Sequence, residues 1–196
     1  MKHDKNSGLI YGIGVNDMKD CVGASKLRSY QLWQDMLYRC YTETRKPRIS
    51  SYENCKVSEE WKFYSNFKSD VESLTGFNSE GFQMDKDLLG DGKLYSKETV
   101  CFLPQKLNMF LVKHKERRGF LPLGVSKSKS KSKPFRARIT DENRKEVHLG
   151  HFKTPEEAHE KYLDFKRVKL LNLIEDYADR LDERIITAFL NINLGD

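Results

Sequence analysis

The spacing of apolar residues changes along the chain from a helical period to a strand period and back. Between residues 30 and 41, apolar side chains recur at i, i+3, i+6, i+7, i+10 and i+11, which predicts an amphipathic helix. From residue 135 to 140, apolar and polar side chains alternate strictly, which predicts a half-buried strand. Neither period covers the whole chain, so the pattern indicates an α+β protein and argues against an all-helical or all-strand fold.

The 196 residues are enough for one ordinary domain or two small ones. The pattern predicts an N-terminal arm at 1–27, a first unit at 28–115, a second unit at 119–172 and a helical extension at 173–196. The first unit reads as two helices, two strands joined by a glycine turn, and a helix. The second reads as a three-stranded antiparallel sheet covered on one face by a helix. The extension is expected to dock within the chain, so a monomer is favoured, and a dimer contact is the alternative.

Local signals set the expected boundaries of these elements. Ser29 is a candidate N-cap for the first helix, and the second helix is expected to begin after Ser58. Strands are expected at 82–89, 121–125 and 135–140, and Pro104 suits the first position of the helix that follows. Thr154, Pro155 and Glu157 together predict the start of the helix that covers the sheet.

The charge is unevenly distributed. Residues 113–138 hold ten basic side chains and one acid, a net charge of +9 against +6 for the whole chain, while residues 171–196 carry −4. A local excess of this kind is typical of a nucleic-acid-binding face. The strict Ser-Lys alternation at 126–133 could by itself be a solvated loop, but the basic run continues into a patterned strand. We therefore assign phosphate contact to Lys127, Lys129, Lys131 and Lys133.

The composition indicates in which cellular compartment the protein is expected. No apolar run approaches the roughly 18 residues that span a bilayer, and the start of the chain lacks the apolar core of a signal peptide. The four cysteines are widely separated, which suits a reduced compartment better than a disulfide scaffold. We expect a cytoplasmic protein with no membrane partner.

The second unit carries four characteristic stretches in order, at 124–126, 135–139, 148–152 and 154–158, followed by Tyr162. They resemble the AP2 DNA-binding domain in the form attached to phage-type and homing endonucleases. The resemblance implies that the exposed sheet face lies in the major groove of double-stranded DNA, which admits a β-ribbon. Plant members of the family carry more Arg and Trp on this face. The matching positions in this chain are Ser126, Arg136, Arg138, Thr140, Glu146 and His148.

The first unit contains the stretches 33–41, 52–57, 84–89 and 104–108. Over roughly residues 9–114, it resembles the HNH endonucleases of phages and mobile introns. In that family a strand carries an Asp-His pair and the following helix an Asn; Asp and Asn hold a divalent metal, and His activates water. The resemblance implies Asp85 and Asn108 as ligands of Mg²⁺ or Mn²⁺. Lys86 stands where the family has His, and phage-encoded relatives also carry Asp-Lys-Asp.

The lysine at this position leaves the general base open, because an ammonium of ordinary pKa near 10.4 cannot accept a proton at neutral pH. Burial could depress the pKa of Lys86. Alternatively, Asp87 or His114 could act as the base, or Lys86 could steady the phosphate while metal-bound water attacks. Lys86 and Asp87 are thus the candidate catalytic residues. The alternative without a function is that Asp85, Lys86 and Asp87 are charged surface groups of a hairpin.

A structural zinc site is the other metal to consider. Cys40, Cys55, Cys101 and His114 could converge, but no two cysteines have zinc-motif spacing and Cys40 lies on the apolar face of a predicted helix, so zinc is not favoured. The sequence therefore predicts a metal-dependent DNA endonuclease or nickase with an AP2-like DNA-binding unit. The alternative is a catalytically degenerate DNA-binding protein, a regulator or inhibitor, on the same fold.

Overall fold

A computed structural model describes residues 8–18, 23–42, 52–111, 120–141 and 145–194. It is a mixed α+β structure that divides into two units. Residues up to Leu111, together with Ala178–Leu190, form the first unit, and the residues between these segments and after Leu190 form the second. In the described part of the chain, no helix is long and apolar enough to cross a membrane.

Five α-helices and seven strands occur within the described residues. The helices are α1 (Arg28–Tyr41), α2 (Tyr64–Ser73), α3 (Gln105–Leu111), α4 (Pro155–Tyr177) and α5 (Glu183–Leu190). The strands are β1 (Lys56–Val57), β2 (Phe82–Asp85), β3 (Leu94–Tyr95), β4 (Cys101–Pro104), β5 (Val125–Lys127), β6 (Phe135–Thr140) and β7 (Glu146–Phe152). Short 3₁₀ turns lie at Ala24–Lys26, Glu60–Lys62 and Ala178–Arg180.

The apolar face predicted for the first helix is the core of the first unit. Trp33, Met36 and Leu37 of α1 are completely buried. The expected N-cap at Ser29 is wrong, because Leu27 holds the cap position and makes no side-chain bond there. Ser29 is instead a fully buried helix residue whose hydroxyl donates to Glu72 Oε1 at 2.7 Å and lies 3.1 Å from the Tyr64 hydroxyl. It joins α1 to α2.

The beginning of α2 differs from the expected one, because Phe63 is extended between the 3₁₀ turn and the helix. Phe63 pairs with Val15, whose backbone bonds to Lys62 and Tyr64 on either side. Asp17 then accepts a hydrogen bond from the Ser65 backbone N–H at 2.9 Å, in the first turn of α2. Residues 8–18 are therefore part of the first unit and not a separate arm.

A hairpin and a helix follow in the first unit. Strands β2 and β4 pair antiparallel, with Phe82 opposite Pro104 and Asp85 opposite Cys101, and α3 begins directly after β4. Strand β1 pairs with β3 in parallel. The strand expected at 82–89 ends at Asp85, where the chain turns into a loop. Pro104 is the last residue of β4 and not the first of the helix.

The second unit is an antiparallel sheet of order β5–β6–β7, packed against α4. Strand β6 has the predicted bounds, whereas the strand expected at 121–125 occupies Val125–Lys127. Gly124 precedes it with φ +78°, and a Cβ there would lie 2.1 Å from the ring of Tyr162 on α4. Glycine thus permits the close approach of helix and sheet.

The predicted start of α4 is confirmed, but its predicted end is not. The Thr154 hydroxyl accepts the Glu157 N–H at 3.2 Å, and the Glu157 carboxylate accepts the Lys153 N–H at 3.0 Å. The helix runs to Tyr177, so the expected boundary at 172 falls inside it. A separate extension at 173–196 is also not observed, because Ala178–Leu190 belongs to the first unit.

Candidate functional site

The loop after β2 is shaped by the carboxylate of Asp85. Its Oδ1 accepts the backbone N–H groups of Asp87 and Leu88, both at 2.9 Å, which turns the chain sharply at the end of the strand. Asp85 is 6% exposed, and this burial raises the pKa of its carboxyl group above the ordinary value. These bonds leave Oδ2 for another partner.

The ammonium of Lys86 lies inside the same loop. Lys86 is 3% exposed, and its Nζ donates to Asp87 Oδ1 at 2.5 Å and to the Gly92 carbonyl at 2.8 Å. It also lies 5.1 Å from the ring centroid of Tyr52. The Asp87 side chain is about half exposed, so this ion pair leads from the buried loop to the surface.

The direction of the Lys86 pKa bears on whether this residue can act as a base. Burial by itself lowers the pKa of the ammonium, but the hydrogen bond and charge of Asp87, together with Cys55 and Tyr52, raise it, so the net shift is upward. The upward shift does not support the possibility that burial makes Lys86 a neutral base. A protonated Lys86 can orient Asp87. His114, the other candidate base, lies outside the described residues.

Asn108 is half-buried on α3. This helix contacts β2, which ends at Asp85, and also its partner strand β4. Among the residues that the structure describes, no three His, Cys, Asp or Glu side chains come together as a metal-binding group. Two oxygen donors, one carboxylate and one amide, nevertheless suit Mg²⁺, which keeps several waters and binds substrate phosphates. The donor chemistry of this pair is compatible with such an ion.

The cysteines considered for zinc occupy buried positions. Cys40 lies on the core face of α1, and Cys101 stands opposite Asp85 in the hairpin, where burial raises the pKa of its thiol. The Cys55 thiol donates to the Gly92 carbonyl at 3.3 Å, the same oxygen that accepts from Lys86. Burial also raises the pKa of the Cys55 thiol, so Cys55 and Cys101 both favour the protonated thiol in the metal-free chain.

The polar face predicted for β6 is the outer face of the sheet. Arg138 and Thr140 are exposed and Arg136 is partly exposed, whereas Ala137 on the opposite face is completely buried. Arg136 lies opposite Ser126 of β5 and its Nε donates to the Ser126 hydroxyl at 3.3 Å. The predicted residues of three strands thus share one surface.

A β-bulge in β7 adds a histidine that sequence reasoning missed. Arg138 pairs with His148, and Ala137 pairs with Gly150, so Leu149 is the extra residue. The insertion returns His151 to the outer face beside His148, with their ring centroids 4.6 Å apart. Simple alternation would have put His151 on the other face. Gly150, with φ +134°, was the available signal, because a glycine within a strand often marks a bulge.

The Ser-Lys segment forms the connection between β5 and β6. The Ser130 N–H donates to the Ser128 hydroxyl, and the Lys133 N–H donates to the Ser130 hydroxyl, both at 3.2 Å. Serine side chains therefore hold the turns, while all four lysines, Lys127, Lys129, Lys131 and Lys133, are exposed. The Ser-Lys alternation therefore places the serines that form the turns and the lysines that carry charge at alternate positions.

Comparison with known protein families, characterised proteins and solved structures finds no match for this chain.

Proposed function

We propose that the chain binds double-stranded DNA through the outer face of the β5–β6–β7 sheet and hydrolyses a phosphodiester bond in the first unit, as an HNH-type endonuclease or nickase with an AP2-like module. The observation that carries the proposal is the order hairpin then helix, with Asp85 at the end of β2 and Asn108 on α3, in a chain that also presents an arginine-bearing sheet face. Neither a membrane nor a second subunit is part of the proposal.

The sheet supports the DNA-binding half of the proposal. A two- or three-stranded β-surface fits the major groove, and Arg can pair with guanine O6 and N7 there. The exposed lysines next to it suit the phosphate backbone, whose contacts position the protein without reading the sequence. Arg136 and Arg138 would read bases, with Ser126, Thr140 and His148 beside them.

Asp85 and Asn108 would hold a hard cation such as Mg²⁺ or Mn²⁺, which supplies neutralisation of the phosphate and a more acidic water. Asp85 is suited to this because two backbone N–H groups fix its orientation and leave Oδ2 for the ion. Lys86 stays protonated and positions the Asp87 carboxylate, which reaches the surface. In this arrangement Asp87 is the candidate for accepting a proton at the site.

A specific observation also favours the second function, a DNA-binding protein without cleavage. Asp85 and Lys86 satisfy the loop that contains them, so both residues have structural roles that need no reaction. Such a protein would bind the same DNA and act as a regulator or an inhibitor.

Nicking of supercoiled plasmid in the presence of Mg²⁺ or Mn²⁺ separates the two functions. The informative variant is Asp85→Asn, which keeps an oxygen for the two loop N–H groups and removes the charge that holds a cation. Asp91→Asn is the matched control, because Asp91 Oδ1 accepts the Lys93 N–H in the same way but is exposed. We expect cleavage to be lost in Asp85→Asn and kept in Asp91→Asn, with DNA affinity unchanged in both. Binding without nicking by the wild-type protein would establish the second function.

A further inference from the structure

Glu146 places a carboxylate on the sheet face that carries Arg136 and Arg138. The Arg138 guanidinium donates through Nη1 to Glu146 Oε2, and the Nη2 atom of Arg136 lies 3.7 Å from Oε1. The two arginines are on β6 and Glu146 begins β7, so one carboxylate connects two side chains that leave the same strand. The carboxylate thus draws both guanidinium groups together over the sheet.

These three side chains remain accessible to a ligand. Their exposed fractions are 35% for Arg136, 45% for Arg138 and 44% for Glu146. Arg136 is fixed at a second point by the Ser126 hydroxyl. Each guanidinium has five N–H donors, so bonds to Glu146 and Ser126 leave donors for further partners. Both arginines are therefore oriented before a ligand arrives and still able to bind it.

A carboxylate in this position affects the binding of the DNA backbone and of the base edges differently. A phosphate that approaches either arginine also approaches Glu146, and the like charges repel. Base edges carry no net charge, and the amino group of cytosine can donate to a carboxylate. An arginine pair with a central glutamate therefore favours base edges over backbone, and favours guanine and cytosine in particular.

We propose that Glu146 is a specificity-determining residue: it holds Arg136 and Arg138 for guanine and keeps them from phosphate, so that the sheet selects major-groove sites containing G·C pairs. This inference rests on the proposed DNA-binding function. It concerns discrimination between sequences and not the overall affinity, which the exposed lysines can supply.

The full-length protein is used to select duplexes from a random library, and its affinity is then measured for a selected duplex and for a shuffled duplex of equal length across a salt series. Glu146→Gln removes the charge, and Glu146→Asp keeps the charge but shortens its reach. Glu160→Gln on the exposed surface of α4 is the control for the change in net charge. Circular dichroism verifies that each variant is folded.

We expect enrichment of G·C pairs with the wild-type protein. In Glu146→Gln, binding to the shuffled duplex should tighten, and the slope of log K against log salt should steepen by about 0.9 for each phosphate gained. The ratio of the two affinities should fall about tenfold, the range of one bidentate base contact. Glu146→Asp should lose discrimination without the steeper slope, and Glu160→Gln should change neither property.

Equal effects of Glu146→Gln and Glu160→Gln would overturn the inference, because Glu146 would then act only as one unit of net charge. Selection that enriches no G·C-containing sequence would overturn it as well, while measurable affinity for the shuffled duplex would leave the DNA-binding function standing. A wild-type protein with no affinity for any duplex would overturn the DNA-binding function itself, and the inference with it.

Discussion

Lys86 shows how the first unit accommodates a buried charge. An ammonium group has three donors and is costly to bury without acceptors. The Lys86 ammonium donates hydrogen bonds to Asp87 Oδ1 and to the Gly92 carbonyl. Its Nζ also lies 5.1 and 5.9 Å from the ring centroids of Tyr52 and Tyr95. The lysine therefore binds together the loop between β2 and β3, whatever further part it has in chemistry.

Replacement of Lys86 by Met should lower the free energy of unfolding of the first unit by about 1–3 kcal/mol, because the Gly92 carbonyl and Asp87 both lose a buried donor. Urea unfolding followed by tryptophan fluorescence measures this, since both tryptophans, Trp33 and Trp61, lie in the first unit. Lys93→Met is the matched control: its Nζ donates to the Glu53 carbonyl at 2.9 Å, but the side chain is exposed. Equal stability losses in the two variants would contradict a special role for the buried ammonium.

The difference in unfolding free energy between the wild type and Lys86→Met should depend on pH. Because the pKa of Lys86 is raised in the folded state, that state binds the proton more tightly than the unfolded chain does. The stabilisation is then complete below the unfolded pKa of about 10.4 and is lost as the pH rises through the higher folded value. Urea titrations at pH 8, 10 and 11 measure this dependence. We expect the difference in unfolding free energy between wild type and Lys86→Met to be constant at low pH and to narrow once the pH exceeds the unfolded pKa of about 10.4.

Among the elements, the connection between β5 and β6 combines order with charge. Hydroxyl groups of Ser128 and Ser130 accept backbone N–H groups within the connection, as serine does in short turns. The Ser128 N–H also bonds to the Pro134 carbonyl at 2.8 Å, which extends the ladder of the two strands. The lysines are thus presented from a shaped turn beside the sheet face, and their charges add to one surface.

Replacing the four lysines of this turn, Lys127, Lys129, Lys131 and Lys133, by Ala should weaken binding to all duplex sequences alike. The slope of log K against log salt should become shallower by about 0.9 for each phosphate contact that is removed. Fluorescence anisotropy with a labelled duplex at several salt concentrations measures both effects. Ser130→Ala keeps every lysine and removes turn bonds, so its salt slope should equal that of the wild type. An unchanged slope in the four-lysine variant would exclude phosphate contact by this turn.

At the level of the whole molecule, the first unit is built from two separated parts of the chain. After α4 the chain returns, and Leu181, Ile185 and Phe189 are buried in the segment that belongs to the first unit. Arg184 Nη1 donates to the Glu98 carbonyl at 3.3 Å, and the Arg180 guanidinium lies 5.9 Å from the ring centroid of Phe82. The first unit is thus discontinuous in the chain, and Ala178–Leu190 completes it after the segment that belongs to the second unit.

Substitutions on α5 should therefore destabilise a unit most of whose residues precede this helix by more than 70 positions. Ile185→Ala should cost about 2–5 kcal/mol and Phe189→Ala about 3–5 kcal/mol, because each leaves a cavity in a filled core. Leu190→Ala is the matched control on the same helix, since Leu190 is 61% exposed. Tryptophan fluorescence during urea unfolding reports the effect. Equal midpoints for Phe189→Ala and Leu190→Ala would contradict the assignment of α5 to the first unit.

Features with a local cause could be predicted from the sequence. The bounds of β6, its buried and exposed faces, the core face of α1 and the cap at Thr154 all follow from side chains within a few residues, because periodicity and capping act over one or two turns. The cationic character of the β5–β6 connection also follows from local composition. The roles proposed for Asp85, Asn108 and the sheet face remain predictions.

Only the tertiary structure decided the features whose partners are distant in sequence. Ser29 has the composition of a cap but becomes a core residue because Tyr64 and Glu72 supply its hydrogen bonds. His151 joins the outer sheet face because the register with β6 admits an extra residue, and no count along β7 alone shows that. The protonation of Lys86 depends on the balance between burial and Asp87, and the docking of α5 depends on which apolar surface is free to receive it. Local sequence specifies which side chains share a face, whereas packing specifies what each face meets.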